Sequence, residues 1–134
     1  MEPVEVIIEK GTDNYSAFLP LMQGCIATGE SIPELKLNIE KAIAMHLKGM
    51  EEDGDQIPSV FCRNYRIAYV FDVETFLNYY SKVFSKRALS KITGVNESLL
   101  SQYASGLKKP REKQAKRIEE SIHRLGNELL QIQF

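Results

Sequence analysis

The stretch Arg66-Ile67-Ala68-Tyr69-Val70-Phe71-Asp72-Val73-Glu74-Thr75-Phe76-Leu77 is where this sequence changes its period. Up to Phe71 it reads as a strand, dense in β-branched and aromatic residues. From Asp72, which can cap a helix, the apolar residues Val73, Phe76, Leu77, Tyr80 and Phe84 recur at helical spacing. Before this point strands surround one helix; after it every periodic segment is helical. The fold class is therefore α+β: a three- to four-stranded antiparallel-type sheet with one covering helix, followed by an all-α domain. The expected division is 1–60 for the sheet domain, 61–71 for a connecting strand or linker, and 72–134 for the helical domain.

Reading forward, Ser85 can cap a helix over Lys86 to Thr93, and Gly94-Val95-Asn96 breaks it. Asn96 can cap a second helix, Glu97 to Ser105, that ends at Gly106. Two short helices joined by a three-residue turn containing Gly have the geometry of a helix-turn-helix. Leu89, Ile92, Val95 and Leu100 would face the core, and Tyr103 reads as core as well. Glu97, Ser98, Ser101 and Gln102 would face outward, and such short or amide side chains can reach base edges in the major groove. Ser85, Lys86, Arg87, Lys91, Asn96, Lys108 and Lys109 surround them, the cations placed to hold phosphates. Pro110 precedes a long last helix from Arg111, with Ile118, Ile122, Leu125, Leu129 and Ile132 on one stripe.

Leu89, Gly94-Val95-Asn96, the polar helix and Gly106-Leu-Lys-Lys-Pro110 together resemble the Xre/Cro-like helix-turn-helix repressors. Ser90 and Thr93 depart from that pattern, placing hydroxyls where the family usually has Ala and often has Leu. The resemblance implies sequence-specific binding of double-stranded operator DNA. Repressors of this type read paired half-sites, so a homodimer or higher homo-oligomer is expected.

Reading backward, Val4–Glu9 is a strand, Gly11-Thr12-Asp13-Asn14 is turn chemistry, and Tyr15–Leu19 is a second strand, so the two form a hairpin. Cys25–Thr28 reads as a third. Ser31-Ile32-Pro33-Glu34 has the form of a capping box, with Ser31 the cap and Glu34 expected to reach back to its amide. Leu35, Ile39, Ala42, Ile43, Leu47 and Met50 then form one apolar stripe, and Gly54 stops the helix. The strand at 66–71 either adds to this sheet or pairs across a dimer axis.

The 134 residues carry a net charge of −1 and are 43% hydrophobic, enough for a core. The charge is segregated. Residues 1–60 hold 11 acidic and 4 basic side chains, and residues 61–134 hold 7 acidic and 13 basic. Nucleic acid suits the basic half, and a basic protein suits the acidic half. No apolar run reaches the ~18 residues of a membrane span, and no signal-like segment opens the chain. Cys25 and Cys62 are too few for a disulfide scaffold and lack metal-ligand spacing. A reduced, cytoplasmic protein without membrane contact is expected.

Chemistry is sparse in the acidic half. His46 reads as a packed histidine and Cys25 as a buried thiol. Glu51, Glu52, Asp53 and Asp55 lack the ordered spacing of a calcium loop, so no metal and no cofactor is expected. Only Glu5, Glu9 and Asp13 lie on or near the strands, a poor basis for Mg²⁺-dependent cleavage, so the chain is not expected to be an enzyme.

Gly11-Thr-Asp-Asn-Tyr15-Ser, Pro20-x-x-x-Gly24-Cys25-x-x-x-Gly29-Glu-Ser-x-x-Glu34-x-x-x-Asn38, His46-Leu-x-Gly49 and Glu52-Asp-Gly54-x-x-Ile-Pro58 together resemble the HicB antitoxin family. Gln23 stands where that family usually has a proline, and Pro33 and Leu35 where it has Glu and Ala. The resemblance implies a partial RNase H-like sheet without nuclease chemistry. It further implies a HicA-like partner, a small basic toxin that cleaves mRNA, and repression of the shared operon. Two toxin-contact candidates follow: the turn Asp13, Asn14 and Tyr15, and the helix end Glu51, Glu52, Asp53 and Asp55. Tyr15 is either an anchor for the partner or a core residue. The alternative function is a stand-alone transcription regulator whose first domain dimerises or senses a ligand.

Overall fold

Strand β1 (Glu2–Lys10) alternates buried Val4, Val6 and Ile8 with Glu5, Ile7 and Glu9, and this alternation gives the sheet one buried face. The computed structural model describes residues 2–134, which divide into two units, one running to Asp72 and the other Val73–Phe134.

In the first unit β1 pairs antiparallel with β2 (Tyr15–Phe18), and β2 antiparallel with β3 (Ile26–Gly29). Helix α1 (Ile32–Asp53) follows, then a 3₁₀ turn at Ser59–Cys62, then β4 (Tyr65–Val70). The sheet order is β3-β2-β1-β4, and β4 lies parallel to β1 from Glu2↔Tyr65 to Ile7↔Val70. The sheet is thus mostly antiparallel with one parallel edge. The parallel pairing needs a crossover, which α1 supplies: its 22 residues span about 33 Å. Phe61 lies in the 3₁₀ turn, with its ring 5.0 Å from that of Tyr65 at the start of β4.

Ser31 caps α1, its hydroxyl accepting from the Glu34 amide at 3.2 Å. The Glu34 carboxylate accepts from the amide of Glu30 at 3.2 Å, one residue before the amide expected from the sequence. Gly54 ends α1 in the left-handed region at φ 71°, and the next amide, that of Asp55, returns to the Met50 carbonyl. Ile32, Leu35, Ile39 and Ile43 form the buried stripe of α1, and Ala17, Leu19, Met22 and Cys25 complete the core beneath it.

The second unit is helical: α2 (Val73–Tyr79) with a 3₁₀ continuation at Tyr80–Lys82, α3 (Lys86–Thr93), α4 (Glu97–Ser105) and α5 (Glu112–Leu130). Leu77, Leu89, Val95, Leu100, Tyr103, Ala104 and Ile118 form its core. Thr93 is buried there without penalty. Its hydroxyl donates to the Leu89 carbonyl at 2.7 Å and accepts from the Val95 amide at 3.1 Å. Together with Gly94 at φ 74°, that bridge sets the turn between α3 and α4.

Candidate functional site

The second unit presents the residues expected to meet nucleic acid. Leu100, Tyr103 and Ala104 turn one side of α4 into the core, which leaves Glu97, Ser98 and Ser101 exposed and Gln102 half-buried. Asn96 accepts from the Ser98 amide at 2.8 Å, and Ser85 accepts from the Ala88 amide at 3.0 Å. These two side chains are therefore helix caps, with their oxygens engaged by backbone. Arg87 is exposed and Lys86 half-buried in the first turn of α3.

Beside α4 lies a hollow of about 1050 Å³, bounded by Leu99 and Tyr103 on one side and by the start of α5 on the other. Lys108, Lys109, Arg111, Lys113, Lys116 and Arg117 line it, with Glu120 the acid among them. Sequence reasoning picked out Lys108 and Lys109 but missed the other four. Their signal was present as a run of basic residues from 108 to 117, yet only the packing of α5 beside α4 shows that they converge. Arg117 also donates to the Gly94 carbonyl at 3.4 Å, which ties α5 to the α3–α4 turn. Lys116 lies 3.4 Å from Glu119, an exposed pair that leaves its charge available. Six cations around one hollow favour an extended polyanion over a single small anion.

In the first unit Asp13 and Asn14 are exposed in the bend between β1 and β2, where the Asn14 carbonyl accepts from the Gly11 amide at 2.8 Å. Tyr15 is half-buried, with the Lys10 ammonium 5.7 Å from its ring centroid. Glu51, Glu52, Asp53 and Asp55 are all exposed at the C-terminal end of α1. Carboxylates are disfavoured at that pole of a helix dipole, so their placement does not serve the helix.

Cys25 and Tyr69 are held structurally, whereas Cys62 is a free, exposed thiol. Cys25 is buried, and burial pushes its thiol pKa up, away from nucleophile chemistry. Tyr69 on β4 donates to Glu40 of α1 at 3.3 Å, with the Lys36 ammonium 4.6 Å from its ring. Burial, and after it the Glu40 carboxylate, push the Tyr69 phenol up to about 12. Among the described residues no three His, Cys, Asp or Glu side chains stand together to hold a metal ion. No helix among them is long and apolar enough to cross a membrane.

The first unit is thus a four-stranded sheet roofed by one helix, with a surface in which acidic side chains outnumber basic ones. Residues 4–82 match the model of the HicB-like antitoxin of bacterial toxin–antitoxin systems. The chain belongs to this family. The chain is 38% identical over 53 residues to an uncharacterised 14.9 kDa protein from the rep-hol intergenic region of Haemophilus phage HP1 (strain HP1c1), a match covering 40% of each chain. It is also 38% identical over 50 residues to a UPF0150 protein of Helicobacter pylori (strain J99), covering 37% of this chain and 69% of that one. The chain thus spans less than half the length of the phage relative it matches. No solved structure matches it.

Proposed function

We propose that the chain is the antitoxin and autorepressor of a HicA/HicB-like pair. Its first unit neutralises an mRNA-cleaving toxin, and its second represses the operon that encodes both. The observation that carries this reading is the pairing of an antitoxin-family sheet unit with a helical unit of opposite charge. Residues 1–72 hold 12 acidic and 6 basic side chains, whereas residues 73–134 hold 6 acidic and 11 basic. A toxin that grips RNA is basic around its active site, so an acidic partner is steered onto it. In the helical unit, α3, the Thr93–Gly94 turn and α4 form a helix-turn-helix resembling that of Xre/Cro-like repressors. Ser98, Ser101 and Gln102 read base edges, and the six cations of the hollow hold phosphates. No enzymatic role and no cofactor enter this reading, and its setting is the cytoplasm.

Repression from paired half-sites calls for a dimer, and α5 offers a seam. Ile118 and Ile122 pack into the unit's own core, and Leu125 and Leu129 continue the same alternation of three and four residues to the end of α5 at Leu130; Ile132, expected from the sequence to lie on this stripe, falls beyond the helix end. Leu129 and Ile132 are each 55% exposed. The full chain, expressed with the product of the gene adjacent to its own, tests the whole reading. Growth should be rescued, and the pair should copurify and bind the DNA upstream of its own genes. A full chain that neither rescues growth nor binds that DNA would refute it.

A further inference from the structure

The face of the sheet turned away from α1 has no role so far. The register places Ile26, Phe18, Ile7 and Val70 opposite one another on β3, β2, β1 and β4. One apolar row therefore crosses all four strands, about 14 Å from end to end. Ile26 is 61% exposed and Val70 40%, while Ile7 and Phe18 are half-buried. On β1 the row is bracketed by Glu5 and Glu9, both exposed and two residues to either side of Ile7. At the β2–β3 end it meets a hollow of about 400 Å³ lined by Phe18, Pro20, Met22 and Ile26.

We propose that this open face is where the basic toxin docks; the proposal rests on the antitoxin reading above and names its surface. The apolar row forms the centre of the interface, the hollow takes one apolar anchor of the partner, and Glu5 and Glu9 receive its Lys or Arg side chains. Charge selects this occupant. Stacking a second copy on the same face would set Glu5 and Glu9 against their own counterparts, with Arg66 the one cation among the face's described residues. Nucleic acid is repelled by the same carboxylates. A cationic protein with an apolar centre satisfies both features.

The test uses the full chain and, as probe, the product of the gene adjacent to its own, carried as a catalytically inactive variant. Affinity is measured by calorimetry for the parent, for Glu5→Lys with Glu9→Lys, for Ile26→Asp, and for Glu51→Lys with Glu52→Lys. All are exposed positions, and melting curves report the fold of each variant. Expected are a loss of about 100-fold for the double reversal on β1, with a shallower salt dependence, and about 10- to 100-fold for Ile26→Asp. The helix-end reversal should bind within about threefold of the parent, since rim charges contribute little. If both face variants bind like the parent while the helix-end variant fails, the docking surface is wrong and the antitoxin reading stands. If the parent does not bind the probe, the reading itself fails and takes the surface with it. If the face variants instead change the sedimentation of the chain alone, the face is a seam between copies and the proposal is overturned.

Discussion

Gly29→Ala should unfold the first unit far more easily than its single methyl suggests. Gly29 closes β3 on the side facing α1, and a Cβ there would lie 2.7 Å from the Leu35 amide nitrogen and 2.9 Å from its Cα. A third contact, with the Glu34 carbonyl carbon, would be 3.3 Å. These are backbone atoms of the first turns of α1, so no rotamer change relieves the clash. The Leu35 amide also donates to the Ser31 carbonyl at 2.9 Å, which ties this point to the helix cap. Restoring ordinary contact requires α1 to retreat by about 0.7 Å, and a gap of that size forfeits a quarter to a half of each contact's attraction. Ile32 and Leu35, both buried beside the strands, would each lose on the order of 1 kcal/mol. With strain added, the total is about 2–3 kcal/mol, the upper range of overpacking. For a unit of this size that is a fall in melting temperature of roughly 10–15 °C. Calorimetry of the full chain measures it, with Gly49→Ala as the control. Gly49 lies inside α1 with nothing within 4 Å of an added Cβ, so the same change there should stabilise by about 0.5–1 kcal/mol. A Gly29→Ala chain melting within about 2 °C of the parent would refute the close approach of helix and strand.

In operator binding, Gln102→Ala should relax discrimination at one base position by about 1–3 kcal/mol, whereas Lys109→Ala or Lys113→Ala should weaken all sequences alike and lower the salt slope by about one; gel shifts at several salt concentrations separate the two behaviours. For the proposed dimer, Leu129→Glu should shift the chain to monomer by sedimentation equilibrium and abolish the dependence of its melting temperature on protein concentration; a sedimentation profile unchanged by it places the seam elsewhere. Tyr69 ionises near 12 in the folded chain against an ordinary value of 10.0, so the unfolded chain releases this proton first. Its contribution to stability is therefore intact below pH 10 and is lost as the pH rises through 12, and Tyr69→Phe should flatten that part of the alkaline unfolding profile.

What could be read without coordinates was set by interactions spanning at most five residues. Ser31, Ser85 and Asn96 cap their helices because each side chain needs only an amide two or three residues on. The stops at Gly54 and Gly94 are equally local, and helical period alone picks out the buried Leu35, Ile39 and Ile43 of α1 and Leu100 of α4, while Ala42, Leu47 and Met50 of the expected α1 stripe are only half-buried. Even the chain's charge segregation is a property of residue order. The capping box shows where such reasoning ends: its residues were legible, but which amide Glu34 reaches depends on the backbone path entering α1.

The pairings across long sequence separations belonged to the tertiary structure. Nothing near Tyr65–Val70 says that β4 will lie parallel to β1, because that partner is about sixty residues away and the choice depends on where α1 delivers the chain. The apolar row through Ile26, Phe18, Ile7 and Val70 has no sequence signature, since its members come from four strands and align only once the register is set. The six cations beside α4 converge for the same kind of reason, through the packing of α5. Caps and stops are decided by the nearest amides, which every chain carries with it; surfaces are decided by which distant segments share a core, and burial makes that decision for the whole unit at once.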